Sequence, residues 1–359
     1  MDNNTSGRTM VTFLTFVCGL GAATAVNYLG KDAAAAMTAL TLNSTRLLVG
    51  AVILALVGIV LGLRLRPSGQ NLWRYALIGP LNMAIPQGLL FMGLRTYGAR
   101  PIDAAIMEAA IPGLILVYLF TRQRRVTWGA LSIAGSVLLG LAVFLGLFTS
   151  MEPQTADMTA GSWLLLASAV LTSVGLICDD RMAWPEEPPV KNEWRWRVVT
   201  KTSVTRSLRK TLFGSLISGL VTLMLIPVCN MLLGTHAAQV ITVPASAWLG
   251  VVTLALVGTC ITWFAIFLLI QMQQMVLIVA LVAGIPVVSA AYNSLSGRSE
   301  APLQTCEWLG GTILMVSLFV MVYMQLMRPI PFGQPPTEEV QDKRLPYHFC
   351  SSLRSKITP

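Results

Sequence analysis

Charge is what this sequence has least of. Only 11% of its 359 residues are charged, whereas an average soluble domain has about 25%. Hydrophobic residues make up 55% of the chain, and the mean hydropathy is +0.68. A disordered chain is excluded as well, because disorder requires few apolar residues and much charge. The composition therefore indicates a chain that folds within a membrane.

Catalytic and metal-binding groups are also scarce. The two histidines, His236 and His348, lie far apart, and the six cysteines form no CxxC pair. The sequence holds no HExxH motif, no pair of carboxylates deep within the apolar runs, and no serine, histidine and aspartate set that shares a location. These absences argue against an enzyme, and we expect neither a metal site nor a cofactor.

Long apolar runs, in contrast, are abundant. A helix needs about 20 mostly apolar residues to cross a bilayer, and no run shows the alternation that a membrane barrel strand requires. The sequence therefore predicts an all-α integral membrane protein with ten transmembrane helices. The first run also resembles a secretory signal that ends at Ala23–Ala25, but its apolar character continues beyond that point. The ten runs are 10–30, 34–63, 73–95, 101–121, 127–148, 161–181, 211–234, 247–271, 274–293 and 306–327.

The basic residues predict the orientation. Twenty of the 25 lysines and arginines fall in segments on the side of the N-terminus, four on the opposite side, and one within a span. Because basic residues accumulate on the cytoplasmic side, both termini are expected there, in a plasma or bacterial inner membrane. The 182–210 loop carries eight of these charges once Arg181 is included, and we expect 191–210 to lie on anionic lipid of the inner leaflet. Nucleic-acid binding is disfavoured, and the proline-rich tail 328–359 is expected to be disordered.

Two halves of the chain share a pattern of landmarks. In each half a tryptophan begins a span, and an Ile-Pro pair follows 38 or 39 residues later. The pattern predicts five-helix repeats over 10–148 and 161–327, which an outer linker 149–160 joins after the short N-terminus 1–9. An odd number of helices inverts the second copy, as in secondary transporters. The landmarks are Trp73 with Ile111-Pro112, Trp248 with Ile285-Pro286, and the later span starts Trp128 and Trp308.

Three segments carry a family resemblance. They are LTLNSTRLLVGAVILAL, LLFMGLRTYGARPIDAAIMEAAIPGLIL and FLLIQMQQMVLIVALVAGIPVVSA, and together with the order of the spans they resemble the EamA-type transporters of the drug/metabolite transporter superfamily. The resemblance covers about 10–327. It implies ten helices, a central cavity, and export or exchange of small metabolites.

Glu108 and Arg46 are the charged residues that lie deep within the predicted spans. Glu108 lies seven positions into the fourth span, and Pro112 frees its carbonyl four residues later. A membrane carboxylate marks a functional site by default, so Glu108 either couples protons or contacts substrate, or it neutralises Arg46. Arg46 in the second span either forms a buried ion pair with Glu108 or attracts an anion into a cavity.

Amides and aromatic residues complete the candidate substrate pathway. Asn82, Pro86 and Gln87 form a polar node in the third span, where Pro86 frees the Asn82 carbonyl; the node either lines a cavity or joins helices. Trp263 in the eighth span either stacks on a substrate or fills space. Tyr292 ends the ninth span, where an interfacial aromatic is usual.

Together these features predict a secondary active transporter that moves a small polar metabolite, such as an amino acid or a nucleobase, by alternating access. Export or exchange is the expected mode. The competing hypothesis is a passive channel or a lipid scramblase with the same bundle. The expected partners are a small-molecule substrate and anionic lipid, and a homodimer is left open.

Overall fold

The computed structural model describes residues 3–34, 37–63, 65–67, 69–95, 104, 107–108, 110–122, 132, 134–140, 156–182, 195–196, 199–233, 245–272, 274–295 and 305–327. Over these residues the regular secondary structure is helical apart from one short antiparallel pair, Arg195–Trp196 with Val199–Thr200. In chain order the helices are α1 (Asn3–Ala34), α2 (Ala39–Val60), α3 (Gly69–Gly79), α4 (Ile85–Arg95), α5 (Ala110–Arg122), α6 (Ala156–Arg181), α7 (Lys201–Leu233), α8 (Ala245–Leu254), α9 (Thr262–Gln271), α10 (Met275–Leu295) and α11 (Thr305–Met327).

Seven helical stretches of the described chain are long and apolar enough to cross a membrane, and the protein therefore has the architecture of a multi-pass helical membrane protein. Two shorter apolar helices, Ala110–Thr121 and Leu309–Tyr323, match the predicted fourth and tenth spans. Of the predicted fifth span, residues 132 and 134–140 are described and helical; its start at Trp128 and the tail 328–359 lie outside the described residues. The seven stretches are Met10–Leu29, Ala39–Val60, Asn71–Leu94, Ala160–Arg181, Ser203–Val228, Trp248–Gln271 and Met275–Tyr292.

The second helix is shorter than its apolar run because both ends are capped. The Thr38 hydroxyl accepts from the Thr41 amide at 3.4 Å, as expected of an N-cap. At the other end Gly62 has φ +61°, and the Leu63 amide donates to the Gly58 carbonyl at 2.9 Å. A left-handed glycine of this kind ends a helix, so the predicted run 34–63 contains a helix over Ala39–Val60.

The helix of the seventh span begins ten residues earlier than the predicted run. Helix α7 starts at Lys201, so the predicted basic loop 182–210 ends at the short strand pair. Arg209 and Lys210 are buried, with exposed fractions of 7% and 2%. The expectation that all of 191–210 lies on lipid is therefore wrong for these two residues, whose side chains point into the bundle.

Two spans are interrupted by π-helical segments at matching positions. The segment Pro80–Ala84 separates α3 from α4, and Ala255–Ile261 separates α8 from α9. Each begins seven residues after its tryptophan, Trp73 or Trp248. In the first, the Ile85 amide donates to the Pro80 carbonyl, an i to i+5 bond that widens the turn. Such π segments are rare in proteins, and those that occur often lie at functional sites.

Contacts along the helices fix their directions. In α1, Gly19 packs on Leu281 while Tyr28 bonds to Ser289, so α1 and α10 run parallel. Against the eighth span the order reverses, since Gly19 meets Ala265 and residues nearer the α1 C-terminus meet the π segment.

The second span is antiparallel to the seventh, and the third span is antiparallel to the sixth. Ser44 of α2 bonds to Gly219, whereas residues later in α2 pack near Leu208, so α2 and α7 are antiparallel. Gly93 of the third span lies against Gly161, and Asn82 lies against Gly175, which makes the third span antiparallel to α6.

Helix α2 connects these pairs: its start packs near Leu94 while Asn43 bonds to Ala84, so it is antiparallel to the third span and parallel to α6. Gly50 lies against Thr259 and Leu54 packs near Phe264, so α2 is parallel to the eighth span and antiparallel to α1. The C-termini of α1 and α6 therefore lie at opposite ends of the bundle.

Helix α10 forms the centre of the apolar core. Its residues from Met275 to Ala283 are at most 5% exposed, and they pack with apolar side chains of α1, α5, α9 and α11. Large exposed apolar side chains instead cover the outer faces, for example Val60, Phe319 and Met224 at 84%, 70% and 72% exposure. An apolar exterior around a packed core with many buried polar groups is the arrangement that lipid requires.

A candidate substrate site at the interrupted spans

Arg46 lies fully buried between the two interrupted spans. Its Nε and Nη2 donate to Asn43 Oδ1 at 3.2 and 3.1 Å, and Nη2 also donates to Gln87 Oε1 at 3.1 Å. The guanidinium carbon lies 4.8 Å from the centre of the Phe91 ring. Among the described residues Nη1 has no hydrogen-bond partner, and a Cβ placed on Gly258 of the second π segment would lie 3.1 Å from Nη1. Two neutral amides and one aromatic ring therefore hold the buried Arg46 guanidinium, and its Nη1 group is left without an acceptor among the described residues.

Asn43 connects this arginine to the first π segment. Its Nδ2 donates to the Ala84 carbonyl at 3.0 Å and to Thr222 Oγ1 at 3.5 Å. The Ala84 carbonyl belongs to the last residue of Pro80–Ala84, where the helical ladder is interrupted. One asparagine therefore orients the arginine and also satisfies a carbonyl at the break, which a buried helix interruption needs.

Glu108 does not pair with Arg46. Its Oε2 accepts from Asn27 Nδ2 of α1 at 3.2 Å, and no ion pair joins it to Arg46 within the part of the chain that the structure describes. The predicted ion pair is wrong, because two amides hold the guanidinium against α4 while a third amide binds the carboxylate. Helix α1 contacts Arg46 through Val26, the residue before Asn27: Val26 Cγ2 and Arg46 Nη1 lie 2.8 and 3.1 Å from the same Cβ position on Gly258.

The polar node predicted from Asn82, Pro86 and Gln87 divides into two parts. Gln87 bonds to the arginine, whereas Asn82 is buried against Gly175, and neither its Nδ2 nor its Oδ1 has a hydrogen-bond partner within the described ranges. Pro86 is buried in the first turn of α4, directly after the π segment. The break that Pro86 predicted is present, and it takes the form of a π segment that precedes the proline.

The predicted aromatic and proline positions differ in their surroundings. Trp263 is 2% exposed in the apolar core, 5.7 Å from the Phe267 ring centre, so it fills space. Tyr292 is 45% exposed, and its ring centre lies 5.0 Å from that of Tyr28 in α1. Pro112 is buried in α5 and Pro286 lies inside α10.

A second buried charge lies in α7. Lys210 Nζ donates to Asp179 Oδ1 and Oδ2 at 2.7 and 3.0 Å, and the two side chains are 2% and 0% exposed. The same ammonium lies 5.8 Å from the centre of the Phe267 ring. Sequence reasoning missed this pair because it placed Lys210 in a loop. The available signal was a polar stripe at helical spacing, namely Ser207, Thr211, Ser215, Ser218 and Thr222, all at most 1% exposed.

Asp180, which follows Asp179 in α6, connects α6 to α5. Tyr118 Oη donates to Asp180 Oδ2 at 2.6 Å, and the Arg181 guanidinium lies 5.0 Å from the Tyr118 ring centre. The C-terminus of α6 is therefore held by an ion pair to one helix and by a charge-assisted hydrogen bond to another. Bonds of this kind are about twice as strong as neutral ones.

The two buried bases have matching surroundings. Gly50 follows Arg46 by four residues, and a Cβ there would lie 2.7 Å from Thr259 Cγ2 in the second π segment. Gly214 follows Lys210 by four residues. A Cβ on Gly79, the residue that directly precedes the first π segment, would lie 2.8 Å from the Gly214 carbonyl oxygen. Each base also lies over a phenylalanine of the interrupted span in its own half, Phe91 or Phe267.

Comparison with known proteins supports the fold. No protein-family model matches the chain, and no curated protein matches it. Among the solved structures, 13 chains match. One of them, described only as "Crystal structure of protein", is 16% identical, with a TM-score of 0.61 over 89% of this chain and 98% of that chain. An identity this low establishes a shared fold alone.

Proposed function

We propose that the protein is a secondary active transporter of small polar metabolites, with ten spans in two inverted EamA-like repeats. The observation that carries this proposal is Arg46: a buried cation with one unused donor, located where the two interrupted spans meet. In inverted-repeat transporters, interrupted helices near the midplane form the substrate site. Arg46 would bind an acceptor group of the substrate, such as a carboxylate or a ring carbonyl.

Several correspondences support the repeat. The π segments begin at the same offset from Trp73 and Trp248, and each buried base precedes a glycine that packs on the π region of the other half. The second span runs antiparallel to its predicted counterpart α7. The first span is antiparallel to the eighth and the third is antiparallel to the sixth, two pairings that the proposed repeat exchanges. A duplicated and inverted unit accounts for all of these features together.

The packed interior supports a carrier over a passive channel. Arg46, Asn43 and Thr259 are all fully buried, and Gly258 leaves too little room for a methyl group between Val26 and Arg46. A channel needs a continuous polar path, whereas a carrier closes its site between two openings. The interior polar groups and the tight packing around them are what an occluded site requires.

The charge bias supports the orientation that we propose for the bundle. With both termini cytoplasmic, the C-terminus of α6 faces the cytoplasm and the C-terminus of α1 faces the outside. The short strand pair of Arg195–Trp196 with Val199–Thr200 would then lie at the inner leaflet, where anionic headgroups attract basic residues.

A substrate-panel assay tests the proposal. The purified protein in liposomes should take up one class among amino acids, nucleobases and related zwitterions with saturable kinetics. Arg46→Gln should reduce that uptake at least tenfold, since a charge-assisted bond contributes roughly 1.5–3 kcal/mol. The control Thr253→Ala removes an exposed hydroxyl that bonds to its own helix, and it should leave uptake unchanged. Equal uptake by Arg46→Gln would exclude Arg46 from the site.

A further inference from the structure

The two tyrosines that follow the repeat prolines occupy opposite ends of the bundle. Tyr118 follows Pro112 by six residues, and Tyr292 follows Pro286 by six residues. Tyr118 contacts Asp180 at the C-terminal end of α6, and Tyr292 contacts Tyr28 near the C-terminal end of α1. Because α1 and α6 are the first helices of the two proposed repeats, each tyrosine joins its own repeat to the first helix of the other.

We propose that these two contacts are the gates of the transport cycle, an inference that rests on the proposed function. The inner gate consists of Tyr118 and Asp180, and the outer gate consists of Tyr28 with Tyr292 and the Ser289 carbonyl. Alternating access requires one gate to open while the other stays closed. Substrate reaches Arg46 through whichever gate is open.

The inner gate is built from charged groups. The Tyr118 hydroxyl donates to a carboxylate at 2.6 Å, Arg181 lies over the Tyr118 ring, and the adjacent Asp179 is fixed by buried Lys210. Lys210 in turn lies over Phe267 of the eighth span. Opening this gate therefore breaks the hydrogen bond between Tyr118 and Asp180 and separates α5 from α6. The C-terminus of α6 stays bound to α7 through Asp179 and Lys210.

The outer gate carries no formal charge. The Tyr28 hydroxyl donates to the Ser289 carbonyl at 2.9 Å, and the Tyr28 and Tyr292 rings meet at 59° with centres 5.0 Å apart. A neutral hydrogen bond and a tilted ring pair are weaker than a charge-assisted bond. Separating the Tyr28 hydroxyl and ring from Ser289 and Tyr292 opens the outer end of the bundle.

Thiol accessibility tests the gates without a substrate. In a cysteine-free background, Ser173→Cys places a reporter on α6 behind the inner gate, and Thr24→Cys places one on α1 behind the outer gate; both native side chains are at most 5% exposed. A membrane-impermeant thiol reagent is applied from each face of oriented vesicles. Tyr118→Phe should raise the labelling rate of Ser173→Cys from the inside at least fivefold and should lower that of Thr24→Cys from the outside.

The outer variant should give the opposite result. Tyr28→Phe removes the bond to the Ser289 carbonyl, so labelling of Thr24→Cys from the outside should rise and labelling of Ser173→Cys from the inside should fall. The matched control is Tyr323→Phe, which loses the same hydroxyl from an exposed ring of α11, and both rates should stay as they were.

The reciprocity separates gates from local loosening. If each variant speeds labelling only at its own end and leaves the other end unchanged, the gate proposal is refuted. Counterflow by the unmodified protein, measured in parallel, reports on transport itself. Counterflow together with uncoupled labelling overturns the gates and leaves the transporter standing, whereas reciprocal labelling supports the gates.

Discussion

The ion pair between Lys210 and Asp179 makes the most quantitative prediction of this structure. Both side chains are buried, and the ammonium contacts both carboxylate oxygens within 3.0 Å. Removing one partner deprives the other buried charge of its ion pair, a loss that costs about 3–5 kcal/mol. We therefore expect Lys210→Met and Asp179→Leu each to lower the free energy of unfolding by that amount.

The double variant distinguishes this mechanism from general damage. Lys210→Met with Asp179→Leu removes both charges and fills the space with apolar groups of similar size, a change that is often neutral or stabilising in buried pairs. Its free energy of unfolding should return to within about 1 kcal/mol of the unmodified protein, which gives a large coupling energy in a double-mutant cycle. The control Ser317→Ala removes a hydroxyl that bonds to its own helix at 2.8 Å, and it should change stability by less than about 1 kcal/mol.

The assay is reversible unfolding in mixed micelles, in which a denaturing detergent is titrated and the intrinsic fluorescence of the nine tryptophans is recorded. A double variant whose loss equals the sum of the two single losses would refute the reasoning. That result would mean that the two charges are not coupled, so the buried pair would not be what holds α6 to α7.

Three further predictions follow from the same contacts and from the charge bias. Gly258→Ala should lower stability by about 1–3 kcal/mol through overpacking and should reduce uptake, whereas Gly135→Ala, where a Cβ meets nothing within 4 Å, should leave both unchanged. Glu108→Gln keeps an acceptor for the Asn27 amide and removes a carboxylate that no cation among the described residues neutralises, so folded yield should hold and substrate exchange should persist. Uptake driven by a pH gradient should be lost, and its retention would exclude proton coupling at this residue. A cysteine at Gln154 should react with an impermeant thiol reagent from outside and one at Gln123 only after permeabilisation, and equal labelling of both from outside would overturn the predicted orientation.

Much of the helical architecture could be predicted from the sequence because apolar length is decisive in a membrane. Runs of about 20 apolar residues identify spans directly, and the described helices fall within or across the predicted runs. The boundaries were less predictable. The end of α2 depends on a left-handed glycine, and the start of α7 depends on a polar stripe that faces other helices instead of water.

The site was predictable in composition but not in pairing. Arg46, Gln87 and Glu108 stand out because polar groups in an apolar run need a reason. Opposite charges at nearby depths suggested an ion pair, yet depth along two helices says nothing about which face each residue occupies. Asn27 and Asn43, which bind the two charged groups instead, gave no signal of their own, since an isolated asparagine in a span is also common interhelical glue.

Counterflow in liposomes tests the central claim most directly. Vesicles that contain the purified protein are loaded with unlabelled substrate from the class that the panel identifies and are then diluted into a trace of the labelled compound. A carrier exchanges one molecule for another, so we expect labelled substrate to accumulate transiently above its outside concentration and at a rate that saturates. Labelled substrate that only equilibrates, at a rate that rises linearly with concentration, would contradict the account and would identify the protein as a passive channel.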